Sequence, residues 1–324
     1  MTAAKTSFAT ATRDLERLAG LKLSESTVQR VAEAIGRRLG ERLDLGELFG
    51  APVVWDWNRD AGGKTCAYVS VDATGIGMQG PGGAKAEGRM PYVAMVYNPT
   101  PRDELGVEAG GGRQGQVRYL AGLTSLETLG PALRAQAGHV GMDAAEQWIC
   151  LSDGGSGLDA YFETNFPRGQ RILDFWHAAQ NLAEFVKLLH PSNAAEEKAQ
   201  FDEWRRTLRQ EGGLAVLRLI LNTFVQDRSA EVQDRHRRLL EYVRSNVHRM
   251  DYPTYTSNGW RIGSGPVEAA CKTVVNARLD QSGMRWGEEG ADGVCRLRAL
   301  YRSEPTQWAA FWREASRPNI AVTV

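Results

Sequence analysis

Apolar positions along this chain recur with two periods, and the change between them divides it. Over 13–18 the spacing is helical, Gly20 interrupts it, and Ser24 or Ser26 can cap a second helix through Val28, Val31 and Ile35. Pro52 and the Gly62-Gly63 pair break the next stretch, 46–65. The pattern then reads as strands over 67–71, closing on Asp72, and again over 91–97 and 116–120. Polar, Gly-rich segments at 75–88 and 106–115 are predicted as loops between them. A helix is predicted over 126–138, and a short apolar run, 147–152, ends on Asp153 and two glycines. A brief strand at 171–174 leads straight into a helix through His177, Leu182 and Phe185. From 194 to 248 the pattern is helical, with Gly212-Gly213 as its clearest break. After a turn-like stretch at 257–265 a last helix starts near Pro266, which the first turn tolerates because its amides have no intrahelical partner.

This order predicts an α/β fold: a mixed sheet flanked by helices, interrupted by an all-helical insertion before the last helix. The expected divisions are a helical segment at 1–50, a core at 51–190 and 252–302, the insertion at 191–251, and a C-terminal tail at 303–324. Helix, break, helix at the N-terminus suits a helix-turn-helix reader of DNA and equally a packed helical hairpin.

Composition narrows the function classes. No stretch reaches the roughly 20 apolar residues of a membrane helix, and the N-terminus lacks the apolar core of a secretory signal, so a cytoplasmic protein is expected. The four cysteines are isolated, without a CxxC pair, so no local zinc signature exists; Cys66 and Cys150 are expected to be buried thiols. Net charge is zero, with 39 basic and 39 acidic residues, which argues against a broadly cationic DNA-binding surface. Residues 201–250 nevertheless hold ten Arg against seven acids. His139, His190, His236 and His248 lack partners at ligand spacing and are expected at the surface or at caps.

Two acids stand where chemistry usually stands, at the ends of strands, and a third joins them by combination. Asp72 and Asp153 each close a strand and are followed by Gly75 and Gly154, which leave room for a ligand. Taken singly, such a position also reads as a turn signal. Glu268 falls in the first turn of the last helix, where the macrodipole favours it in any case. Three acids converging on one point would repel each other unless cations lay between them, and Mg²⁺ (or Mn²⁺) suits an all-oxygen set. Two such ions about 4 Å apart can hold the attacking and leaving oxygens of a phosphodiester in line. Such a site serves hydrolysis first and then attack by the freed 3′-hydroxyl. The three carboxylates are expected within roughly 5 to 8 Å of one another. A Rossmann-type dinucleotide site is excluded, because no GxGxxG follows a strand.

Four blocks carry a resemblance: Val69-Ser70-Val71-Asp72-Ala73-Thr74-Gly75, Leu151-Ser152-Asp153-Gly154, Ile172-Leu173-Asp174-Phe175-Trp176-His177, and Gly263-Ser264-Gly265-Pro266-Val267-Glu268-Ala269-Ala270-Cys271-Lys272. With the run Arg278-Leu279-Asp280-Gln281-Ser282-Gly283-Met284-Arg285-Trp286, their order and spacing resemble bacterial insertion-sequence transposases of the ISKra type. The resemblance implies an RNase H-like core and a DDE transposase cutting and joining DNA with two Mg²⁺ or Mn²⁺ ions on Asp72, Asp153 and Glu268. It implies that Asp174 and His177 form the Asp-x-x-His pair of related Mutator-like and hAT-like enzymes. Its implied partners are double-stranded DNA, both transposon ends and target, and further copies of the chain in a dimer or larger synaptic assembly. Family members generally carry a cysteine-rich, zinc-ribbon-like region ahead of these helices, which this sequence does not show, so DNA contact through phosphates with little sequence preference is expected. Ala73 follows the first Asp where the family commonly has Gly.

Around these motifs, Lys272 shares a helical face with Glu268 and is a candidate phosphate contact or an intrahelical partner of that acid. Arg278 and Arg285 are candidate DNA contacts, Trp204 a candidate for stacking on a base, and Trp286 a core residue. Two other readings use the same residues: an RNase H-like nuclease that only hydrolyses, and a domesticated, non-catalytic DNA-binding remnant.

Overall fold

The computed structural model describes residues 1–99 and 116–315. The predicted loop 106–115 and residues 316–324 of the predicted tail lie outside them. The chain opens with α1 (Thr2–Lys5), α2 (Phe8–Ala19) and α3 (Glu25–Asp44). There follow β1 (Cys66–Ala73), β2 (Ile76–Gln79), β3 (Lys85–Arg89), β4 (Tyr92–Tyr97), β5 (Val117–Gly122) and α4 (Leu126–His139). Next come β6 (Gln147–Ser152), α5 (Leu158–Asn165), β7 (Gln170–Leu173) and α6 (Phe175–Leu189). The helices α7 (Ala194–Glu211), α8 (Gly213–Leu221), α9 (Ala230–Asn246) and α10 (Tyr252–Ser257) precede α11 (Gly265–Ala270). A π-helical turn, Cys271–Asn276, joins α11 to α12 (Ala277–Leu279), and α13 (Glu288–Arg302) and α14 (Pro305–Ala315) close the described chain. The fold is α/β, with a mixed five-stranded sheet flanked by helices. Two compact units are distinguished: Met1–Asn58 with Ala67–Glu146 and the residues from Pro266 on, and Arg59–Cys66 with Gln147–Gly265.

In the first unit β5, β4 and β1 pair antiparallel, with Ser70 opposite Met95 and Met95 opposite Tyr119. Cys66 through Val71 are buried without interruption, so β1 reads as an apolar run instead of alternating. It runs one residue past its expected end at Asp72, which pairs with Val93, to Ala73, which pairs with Tyr92. The segment 75–88 is a correction. It forms a β2–β3 hairpin, Gln79 opposite Lys85, turning on Gly82 and Gly83 at φ of 64° and 83°. Glycines that read as a loop by composition here supply the left-handed backbone that a tight turn needs.

The N-terminal helices begin and end where their polar signals stand. Ser7 and Ser24 accept the amides of Thr10 and Thr27, and Gly20 ends α2 at φ 67°. Helix α3 lies on α13 at a bare-backbone crossing: a Cβ on Gly36 would fall 2.3 Å from the Gly293 carbonyl oxygen. Part of the expected tail is helix α14, whose Phe311 meets the ring of Phe49 at 5.2 Å.

In the second unit β6 and β7 run parallel, Ser152 beside Leu173, with α5 as the crossover. Helices α6, α7, α8 and α9 pack on one another around Phe185, whose ring meets those of Trp204 and His236. Gly212, at φ 84°, separates α7 from α8.

Candidate functional site

Adjacent parallel strands place two acids side by side. The Asp174 amide donates to the Ser152 carbonyl at 2.7 Å, so Asp153 and Asp174 leave β6 and β7 at the same level, at their carboxyl ends. Asp153 is half-buried, and its Oδ1 accepts the Gly155 amide at 2.8 Å. Gly154 between them sits at φ 86°, where a Cβ would meet Leu173 Cδ1 at 2.6 Å, so the loop admits only glycine without rearrangement.

Asp174 is fully buried and caps α6: its Oδ1 accepts the amides of Trp176 and His177. Its Oδ2 accepts the Ser264 amide at 2.8 Å and the Ser264 hydroxyl. Burial pushes this carboxyl up, but the hydrogen bonds from His177 and Ser264 outweigh it and hold it below the usual carboxylate range. His177 Nδ1 lies 3.7 Å from Asp174 Oδ2. The Tyr242 hydroxyl, on α9, is buried among the same groups. Burial raises it to about 12, opposed by Arg249 and reinforced by Asp153 and Asp174.

Asp72 Oδ1 accepts the Ala73 amide, and its Oδ2 faces Cys271 Sγ at 3.6 Å. One residue pair further on, Thr74 donates to Asn276 Oδ1 at 3.0 Å. The end of β1 thus runs along the π-helical turn that follows Glu268. A π turn displaces carbonyls from their usual partners, and here Arg298 caps them, donating to the oxygens of Thr273 and Val274 and to Ala4. Burial, with Arg302 and Arg278 nearby, pushes the Arg298 guanidinium down to about 10.

The segment leading to Glu268 is anchored at its start. Ser264 is bonded to Asp174, α11 begins at the next residue, and Glu268 stands one turn beyond Ser264. Asp174 has already spent its lone pairs on four donors, which leaves it a clamp. His177 and Glu268 are each half-buried.

The outer candidates divide. Lys272 and Arg285 are exposed, as an anion contact requires. Arg278 and Trp204 are corrections: they are 1% and 3% exposed, so neither meets DNA as expected. The Arg278 guanidinium lies 4.6 Å and 4.8 Å from the Phe8 and Trp286 rings, a cation–π setting that lets the core hold it; burial lowers it to about 10. Trp204 packs on Phe185. His139 is a third correction, buried with Nδ1 2.6 Å from Arg118. Cys66 and Cys150 are buried free thiols and Trp286 is core, as the sequence predicts.

Sequence reasoning missed Ser264 as the second partner of Asp174 and Tyr242 buried beside it. No protein-family model matches the chain, and no curated protein matches it. Among the described residues no helix is long and apolar enough to cross a membrane.

Proposed function

We propose that this chain is the catalytic core of a DDE-type transposase, with Asp72, Asp153 and Glu268 as its metal-binding acids and double-stranded DNA as substrate. The observation that carries this reading is the short segment holding Glu268. Ser264, one turn before it, is bonded to Asp174 beside Asp153, and Cys271, one turn after it, touches Asp72. An RNase H-like core is supported by element order: antiparallel strands, helix, strand, helix, strand, with a Glu-bearing helix after the helical block. The β2–β3 hairpin is an addition within the first three strands of that order.

The donor set fits hard cations: three carboxylates, of which Asp72 and Asp153 are half-buried at strand ends. Bound Mg²⁺ or Mn²⁺ would supply charge neutralisation and in-line alignment of the attacking and leaving oxygens. The protein's own groups do the rest. Asp174 fixes the start of α6 and the strap at Ser264, and with them the place of His177. On this reading His177 donates to a phosphate oxygen. Lys272 and Arg285 meet the DNA backbone as exposed cations. Further copies of the chain in a synaptic assembly belong to the same reading.

Asp72→Asn and Asp153→Asn keep side-chain size while deleting a charged ligand. Each is expected to fold and to lose Mg²⁺- or Mn²⁺-dependent DNA cleavage, and cleavage retained in either variant would sink the reading. A strand-transfer assay on precut ends separates a transposase from a nuclease that stops at hydrolysis.

A further inference from the structure

We propose that a cleft of the first unit, built around Arg278, binds a free amino acid. It uses none of the acids assigned to metal above. Its volume is about 280 Å³, and three parts of the chain wall it: the start of α2 at Phe8, one face of α3 at Glu25 and Glu33, and the stretch from Arg278 to Trp286.

Arg278 is what calls for a ligand. The rings of Phe8 and Trp286 lie against its guanidinium, which is 1% exposed. Other buried arginines of this unit are satisfied: Arg118 pairs with Glu304 at 2.7 Å, Arg296 with Asp44 at 2.8 Å, and Arg298 caps the π turn. Arg278 has no carboxylate within ion-pair distance among the described residues. Its Nε reaches only the Ala3 carbonyl at 3.5 Å, its Nη1 only the Met284 sulfur at 3.6 Å, and its Nη2 has no acceptor. A thioether is a weak acceptor, so this cation has lost its hydration and gained little in return. The two terminal nitrogens form the fork that a carboxylate meets with both oxygens. Met284, on the cleft wall, is half-buried and unbranched, and its sulfur can swing aside for an incoming oxygen.

The rest of the lining selects among oxyanions. Arg278 and Arg285 are balanced by Glu25 and Glu33, so the cleft carries no net charge. A phosphate group or a polyanion would face two carboxylates as well as the fork. A molecule with one carboxylate and one ammonium answers both signs, its carboxylate on Arg278 and its ammonium toward Glu25 and Glu33. Glu33 is half-buried and held by the Gln29 amide at 2.9 Å, which places it on the α3 wall. Ligand sites start near about 300 Å³, and a cleft at that lower edge suits a single small zwitterion.

The test is calorimetric titration of the full chain with each of the common amino acids, beside acetate, methylammonium and inorganic phosphate. At least one amino acid should bind about 10-fold or more tightly than any of the three controls. Arg278→Met keeps an unbranched apolar stem between the rings and should fold, as far-UV dichroism would show. It should weaken binding by about 10- to 150-fold, the range for hydrogen bonds to a charged group. Arg278→Lys keeps the charge without the fork and should also weaken it. Glu33→Gln, on the half-buried wall, should weaken it by up to about 5-fold and serves as the second variant should Arg278→Met not fold. No binding of any amino acid in the millimolar range overturns the proposal. So does phosphate as the tightest ligand, which would mark a plain anion site. Affinity unchanged in folded Arg278→Met, or in both Arg278→Lys and Glu33→Gln, overturns it equally.

Discussion

Asp174 shows how little of a catalytic-looking residue's work need be chemical. Four donors converge on its two oxygens, and all of them hold backbone: the start of α6 and the strap at Ser264. Asp174→Ala should cost about 2–4 kcal/mol in urea unfolding, as a cap and a buried acceptor are lost together. Because its folded pKa is depressed, its contribution is present above the ordinary Asp value. It is lost as pH falls through the folded value. His139 gives the other sign of residue. Burial first, then Arg118, lower its pKa, while the Gly50 carbonyl and Glu304 oppose them. The folded state keeps the ring neutral, whereas the unfolded chain takes up a proton below pH of about 6.5. Stability should therefore decline as pH falls below that value, and His139→Gln should flatten the urea midpoint between about pH 5 and 7. The residue types at the acid site were legible because strands ended on them. The buried state of Arg278, Trp204 and His139 was not, since it depends on rings and cations brought in from distant segments.

At the scale of elements, the α3–α13 crossing rests on two glycines with no side chain between the backbones. Gly36→Ala should push the helices apart and cost about 1–3 kcal/mol, read as a lower melting temperature with unchanged far-UV dichroism. Helix ends were readable at Gly20 and Ser24, where a polar signal or a glycine marks them, whereas the start of α2 at Ser7 lies ahead of the spacing read over 13–18. The β2–β3 hairpin was not, because Gly-rich composition suits a loose loop and a tight turn alike; only the pairing of Ile76 with Arg89 and Gln79 with Lys85 tells them apart. The short crossover helix α5 escaped for a similar reason. Its N-cap is Gly157, which gives no side-chain hydrogen bond to announce a helix start.

For the molecule as a whole, a balanced charge hides an uneven use of cations. Arg118, Arg249, Arg278, Arg296 and Arg298 are all buried, so five positive charges in the formal sum are spent inside. On the reading proposed above, DNA would be met by the exposed remainder, which makes individual contacts measurable. Binding should weaken steeply with salt and show little sequence preference. Lys272→Ala and Arg285→Ala should each reduce the slope of log K against log salt by about 0.9 if each meets one phosphate. A gel-shift titration checks this, and an unchanged slope in both variants would remove them from the interface. Periodicity could locate strands and acids along the chain, but it could not say which arginines face water.

The π-helical turn has a consequence for what the chain can tolerate. It holds one residue more than an α-helical turn would, so it acts as a phase shift between Glu268 before it and Arg278 after it. Each residue advances a helix by about 100°. Losing a single residue within 271–276 would leave Glu268 in place while swinging Arg278 off the rings of Phe8 and Trp286 and leaving Arg298 facing the wrong carbonyls. Substitutions on this stretch change one contact at a time, whereas a one-residue deletion changes the angular bookkeeping of everything downstream. The chain should thus evolve here by exchange of residues and hardly ever by change of length.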